Sequence, residues 1–479
     1  MSEIVLRDFQ TEAVNKLTEN EDKNKTGSVL AFEMGLGKTL TFASFLLKQR
    51  EKENQTVPDL IIVPLCVLLQ WKTEILRLDE DADVFIYHGL TRVSQLRKAM
   101  TTIVPEFVIS TYHSLVTREL EKYKWNRVVL DEAHTIRNGI ESKYRNVPKR
   151  ATGAFGLKNN SRFRHCITGT PFNNGKNDLL SLMKFIDDKF IDGDVSDFVS
   201  NFVIQKTKEN IIDPISFDTI MIKRPDEKLL SDYKKSVKSY GRLLHEIKKR
   251  NNLVEIRNMY RQAMMVMTKL RLFCDIMQME TKKEVLVEDP DSEDECEEDE
   301  ELYEEVDMTD EDKLEFYDSS IKIRTIVDKV VETIETVPFK RILIFSSFVT
   351  TLEILGLNIK DKKSDIKMLY YTGKMDRHER EKIVSKFTDQ KDSTPMILCA
   401  TLGAGSCGLN LTPCSTVFLA DIAINPFEQL QAINRVHRIT QTNQVNVTKF
   451  CMKNMIEENI LLSHSNKFNE AKSNGLIMV

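Results

Sequence analysis

The sequence predicts an α/β protein of two parallel-sheet lobes with helical insertions between them. Two observations carry this. Strand-like apolar runs alternate with helix-like periodic stretches in both halves of the chain, the pattern that helical crossovers impose on parallel strands. The length, 479 residues, exceeds one ordinary core and calls for two to three domains.

Taken in order, "SVLAF", "LIIV", "FVIS", "RVVL" and "HCIT" read as buried strands of the first half. Between them, 67–78 ("VLLQWKTEILRL") sets Leu68, Trp71, Ile75 and Leu78 on one helical face. Residues 223–280 read as helices, with methionines that serve as core filler. "RILIF", "MILCA", "TVFLA" and "VNVTKF" then repeat the strand pattern. The expected divisions are a first lobe at 1–222, a helical region at 223–285, an acidic disordered linker or insert at 286–318, and a second lobe at 319–479. No repeat of solenoid period is visible.

Composition narrows the class. With 41% hydrophobic and 29% charged residues the chain fits a soluble globular protein, and no apolar run approaches the roughly 20 residues that span a bilayer. No membrane partner is expected. The start, "MSEIVLRDFQTEAV", lacks the apolar stretch of a signal peptide. Eight scattered cysteines form no C-x-x-C pair, which argues against a zinc ribbon and for a reducing compartment. The net charge of −5 conceals a split, because 288–312 holds 17 acids and no base. Taking those 17 from the 73 acids leaves 56 against 68 bases, a surplus of 12 positive charges. The body is therefore basic and suits a polyanion. The acidic run cannot bury enough apolar surface to fold alone.

Two stretches carry nucleotide chemistry. "EMGLGKTL" (33–40) follows a strand and opens a helix, the setting of a phosphate-binding loop. Gly35, Leu36 and Gly37 would wrap backbone N–H groups round the phosphates. Lys38 would meet the β and γ phosphates of ATP, and the Thr39 hydroxyl would ligate Mg²⁺. "RVVLDEAHTIRN" (127–138) delivers Asp131 and Glu132 to a strand's carboxyl end. There Asp131 would hold Mg²⁺ and Glu132 would orient and deprotonate the attacking water. Read separately, each stretch also fits an ordinary strand end.

Together with "CITGTPFNN" (166–174), these motifs resemble helicase superfamily 2, and more narrowly the Snf-type (switch/sucrose-non-fermenting) DNA-dependent ATPases. "LRDFQTEAV", "IIVPLCVLLQWKTEI", "STYHSL", "ILIFSSF", "GLNLT" and "INPFEQLQAINRVHRITQ" complete the series, in family order over almost the whole chain. The resemblance implies two RecA-like lobes. It also implies that Gln10 reads the adenine and that His134, Thr168, Gly169 and Thr170 couple nucleotide state to movement. Gly405 and Gly408 would approach the nucleotide and backbone. Arg435 and Arg438 would complete the site from the second lobe, their i, i+3 spacing sharing one face of a helix. The region 223–280 falls where the family inserts helical protrusions, and "TKLRLFCDIMQM" resembles its L-R-x-x-C segment.

Several positions depart from the family pattern: Phe32 for an acid, Ile424 for a tryptophan, Thr440 for a glycine, and Gly403 and Ser406 for a lysine and a glycine. The resemblance implies ATP with Mg²⁺, double-stranded DNA contacted along its backbone, and a nuclear setting in which histones or transcription proteins are displaced. A monomer is expected. The absence of reader domains makes the chain similar to the short global transactivator proteins of baculoviruses, which would place it in a host nucleus. Two other readings stay open: a DEAH-type RNA helicase, and a catalytically weak scaffold that recruits partners through the acidic tract. The final motif "QAINRVHR" and the third motif "TGTP" speak against the first. The intact lysine, acid pair and arginines speak against the second.

Overall fold

The structure, a computed structural model, describes residues 5–53, 56–136, 139, 147–169, 176–187, 189, 195–209, 211–250, 252–277, 308–336, 341–373, 375–405 and 409–473. The chain divides into two compact units, Met1–Ile211 with Lys467–Val479, and Ile212–Asn466.

In the first unit, β1 (Gly27–Phe32), β2 (Asp59–Val63), β3 (Val84–Tyr87), β4 (Phe107–Thr111), β5 (Trp125–Asp131), β6 (Ser161–Ile167) and β7 (Val203–Lys206) form one sheet. Its order is β3-β4-β2-β5-β6-β1-β7 and every pairing is parallel. β1, β2, β4 and β5 are buried at every position, as strands covered by helices on both faces must be.

A buried ionic cluster fastens this sheet toward the start of β2 and β5. Arg127 of β5 donates to both Glu21 oxygens, at 2.8 and 2.7 Å, and its backbone N–H donates to Asp59 at 3.0 Å. His165 of β6 lies 2.9 Å from Glu21, and Gln49 donates to Glu21 at 2.7 Å. Burial pushes the Glu21 carboxyl up, but the His165 and Arg127 hydrogen bonds and charges outweigh it and bring the pKa down to about 2. A group depressed in this way stabilises the fold fully above its unfolded pKa, and the contribution disappears as pH falls through the folded one. Glu21→Gln is therefore expected to cost ~3 kcal/mol in urea denaturation at pH 7. That deficit should shrink from about pH 4.5 down to about pH 2. A deficit independent of pH would count against this account of the cluster.

In the second unit, β8 (Ser216–Ile222), β9 (Arg341–Ser346), β10 (Lys367–Tyr371), β11 (Met396–Thr401), β12 (Thr416–Leu419) and β13 (Asn446–Met452) form a second parallel sheet. Its order is β10-β11-β9-β12-β13-β8. The boundary differs from the expected one at residue 222. β8 pairs with β13 along its whole length, so the second unit begins at Ile212.

The expected helical region holds helices Ser231–Lys249 and Leu253–Ile276. The second helix ends in the core of this unit, where Leu270, Phe273 and Cys274 pack with Ile323, Phe418 and Phe450. Arg271 beside them donates to Asp421 at 2.9 Å and to the Ser347 hydroxyl. Most of the acidic run, up to Asp307, lies outside the described residues. Its last residues depart from the expected disorder: Asp310–Ser319 is a helix, capped by Thr309 and Asp312 and anchored by buried Phe316. The capping box and the burial of Phe316 supply the stabilisation that the acidic composition alone lacks.

Candidate nucleotide site

The loop after β1 has the backbone that phosphate binding requires. Gly35 and Gly37 adopt φ of 88° and 77°, a region side chains disfavour, and Lys38 opens helix Lys38–Glu53 with Thr39 in its first turn. Gln10 is buried and donates to the Leu36 carbonyl at 3.1 Å, while its own oxygen accepts the Arg7 N–H at 3.0 Å. A methyl group on Gly37 would lie 2.6 Å from the Gln10 amide, so this glycine is fixed by contact as well as by φ. Glu33 ties the loop to the end of β7 by accepting the Lys208 N–H at 2.8 Å. Phe32, found where the family has an acid, ends β1 in the core with its ring centroid 5.6 Å from that of Phe9.

Sheet order explains the convergence of the motifs. β6 lies between β1 and β5, so the segment after β6 emerges between the loop and the acid pair. Thr168 is fully buried there and donates its N–H to the Leu30 carbonyl at 3.1 Å. At Gly169 an added Cβ would stand 2.6 Å from Met34 and 3.0 Å from Lys38 Nζ. Lys38 itself donates to the Phe32 carbonyl at 3.3 Å. Thr170 and Gly408 lie outside the described residues, and Gly405 ends the short helix Leu402–Gly405.

Asp131 closes β5, 6% exposed. Its Oδ2 accepts the Trp71 indole N–H at 2.6 Å, its Oδ1 accepts the Glu132 N–H at 2.9 Å, and Tyr112 donates to its carbonyl at 2.7 Å. Burial, reinforced by the Glu132 charge, pushes the carboxyl up to about 6, against the pull of Trp71 and the Lys38 charge. Glu132 takes a left-handed φ of 48°, a strained conformation for a side-chain-bearing residue. Its Oε2 stands 3.4 Å from His134 Nδ1. Trp71 and Tyr112 escape sequence reasoning: Trp71 reads only as part of a helical face and Tyr112 only as part of a motif, and only the geometry shows their polar ends turned to Asp131.

Arg435 and Arg438 belong to the second unit and are not helical, contrary to the expectation from their spacing. Helix Pro426–Ile433 stops before them as the chain tightens, Arg435 donating its N–H to the Ala432 carbonyl at 3.1 Å and Val436 to Ile433 at 3.0 Å, while the Arg435 carbonyl accepts the Leu411 N–H at 2.9 Å. Gln441 fixes the turn that follows by donating to the carbonyls of Thr412 and Cys414, each at 2.9 Å. The two guanidinium groups still share a neighbourhood. Burial first, and then the Arg435 charge, push Arg438 down to about 10, and Arg438 donates to the Leu409 carbonyl.

A glycine loop heading a helix, beside a strand-end acid pair at the carboxyl edge of a parallel sheet, is the build of a P-loop nucleotide-binding domain. The SNF2-related domain model matches residues 9–347 and the helicase conserved C-terminal domain model residues 322–440. The chain belongs to the SNF2-related family. It is 28% identical over 487 residues to the ISWI chromatin-remodeling complex ATPase ISW1 of Saccharomyces cerevisiae, covering 95% of this chain and 39% of that protein. It is 26% identical over 476 residues to an uncharacterized ATP-dependent helicase of Mycoplasma genitalium, covering 95% and 41%. The chain thus spans about two fifths of the length of these relatives. The Sulfolobus solfataricus SWI2/SNF2 ATPase core in complex with dsDNA aligns with a TM-score of 0.41 at 23% identity, covering 98% of this chain and 93% of that one.

Proposed function

We propose that the chain is a DNA-stimulated ATPase that moves along double-stranded DNA and displaces or remodels proteins bound there. The observation that carries this is the convergence of Lys38, Gly169, Asp131 and Glu132 at one edge of the first sheet. Lys38 would hold the triphosphate, with Gln10 bracing the loop beside the adenine, and Glu132 would draw the proton from the attacking water. Thr39 and Asp131 offer the hard oxygen donors that Mg²⁺ takes, one or two from protein and the rest from phosphate and water. When bound, the ion would neutralise charge on the phosphate oxygens. His134, Thr168, Gly169 and Thr170 are the coupling residues of this reading, and Gly408 one of its nucleotide-binding residues.

The positive surplus outside the acidic run supports a nucleic-acid backbone as the partner. The chromatin-remodeling name of the yeast relative supports a nuclear setting and histones or transcription proteins as targets. Phosphate release measured with duplex DNA, with RNA and without nucleic acid tests the proposal, with Lys38→Ala as control. Turnover is expected to rise with duplex DNA and little with RNA. Stimulation by RNA instead would favour a DEAH-type RNA helicase. Turnover no higher than that of Lys38→Ala under every condition would favour a scaffold.

A further inference from the structure

Trp71 is fully buried, yet its indole N–H does not go to the backbone, as that of Trp125 does at 2.9 Å to the Leu120 carbonyl. It goes to Asp131 Oδ2 at 2.6 Å. A carboxylate turns easily about its last torsion, and each of its oxygens offers two lone pairs. One donor on Oδ2 from Trp71 and one on Oδ1 from the Glu132 backbone stop that rotation and leave a lone pair on each oxygen unused. Helix Leu68–Leu78 buries the indole on the same face as Leu68 and Ile75.

We infer that Trp71 is a positioning residue for metal binding: its N–H locks the plane of the Asp131 carboxylate so that the unused lone pairs are presented to the nucleotide-bound divalent cation. The inference rests on the reading of Asp131 as the Mg²⁺ holder. It separates Trp71 from an ordinary core tryptophan, whose packing would be served equally by a ring without a donor. Partners that orient metal ligands typically account for 10–100-fold in metal affinity.

The test uses Mn²⁺ as the probe, added to the full chain with a non-hydrolysable ATP analogue, with free Mn²⁺ counted by electron paramagnetic resonance. Two variants are compared with their parents. One is Trp71→Phe. The other uses a Trp125→Phe background, where Trp71 is the remaining one of the chain's two tryptophans, so that global replacement by the benzothiophene isostere deletes this N–H and keeps the ring shape.

Mn²⁺ affinity is expected to fall about 10–100-fold in both, while nucleotide affinity in EDTA stays at the parent value. Isostere affinity within about twofold of its parent, well short of that range, overturns the inference. So does a loss seen with Trp71→Phe and absent with the isostere, because packing then explains it. A parent chain that binds no Mn²⁺ with nucleotide removes the underlying reading of Asp131. A parent that binds it normally beside an unaffected isostere removes only the role of Trp71.

Discussion

Alanine at Arg435 or Arg438 is expected to lower ATP turnover by roughly 10³–10⁵-fold while leaving nucleotide affinity nearly unchanged. Phosphoryl transfer develops charge on phosphate oxygens, and an arginine that meets them only in the transition state acts on rate and not on ground-state binding. Arg438 is suited to such a task. Burial and the Arg435 charge lower its pKa to about 10, so it stays protonated at neutral pH although its charged form is penalised. An anion brought to this pair would relieve that penalty. The arginines belong to a different unit from Lys38. Single-turnover hydrolysis with duplex DNA, set beside equilibrium binding of a fluorescent nucleotide, makes the comparison. Weakened binding with normal turnover at saturation would reassign the pair to ground-state recognition. Arg→Lys at either position should recover little, since an ammonium lacks the planar fork.

What the sequence made legible follows burial. Every strand expected from an apolar run, from "SVLAF" to "VNVTKF", lies in a sheet. The four strands that escaped, β3, β7, β8 and β10, are the four sheet edges. An edge strand meets neighbours on one side only, and these have mixed or exposed positions, as at β8 with Phe217 48% and Met221 40% exposed. Periodicity had nothing continuous to mark. The missed β8 also moved the boundary between the units.

The candidate site shows the same division. Glycines and acids that act within one turn of chain were readable, because loop and strand-end chemistry is local. Trp71, sixty residues from Asp131, was visible only as a helical face. The arginine pair was assigned to a helix because spacing carries no information about the tightened turn at Ala432 and Ile433 that replaces it. Two departures lose their weight. Thr440 is exposed and absent from the left-handed residues, so nothing at that position demands glycine. Ile424 packs with Met267, Ile422, Cys451 and Ile460, so it serves the core of the second unit.

Lys322→Met is expected to destabilise the second unit by about 3–5 kcal/mol, the range for breaking a buried ion pair. Lys322 is fully buried, 2.7 Å from Asp275 and 2.6 Å from Glu457. Those acids come from helix Leu253–Ile276 and from the first turn of helix Ile456–Ser473, so one ammonium ties both to helix Ile321–Thr336. Burial opposes the charge, but Asp275 and Glu457 together outweigh it and raise the lysine pKa. Burial pushes Asp275 up to about 7 even with Lys322 present. Without the lysine both carboxylates must be protonated or remain buried unpaired. Methionine fills the space of the stem and supplies no charge, which isolates this effect from packing. The sign of the pH dependence follows. The Asp275 carboxyl, raised further in the variant, holds its proton where the parent has released it and loses it at cost as pH rises, so the deficit should grow from about pH 7 to about pH 9. Over that window Lys322 in the parent stays charged, because a raised lysine loses its contribution only above its unfolded value of 10.5. Urea denaturation at both pH values measures the difference. Adding Asp275→Asn and Glu457→Gln to Lys322→Met should recover much of the loss and flatten its pH dependence, since the unpaired charges are then gone. A small deficit that ignores pH would mean the three groups are not held together as an ionic cluster.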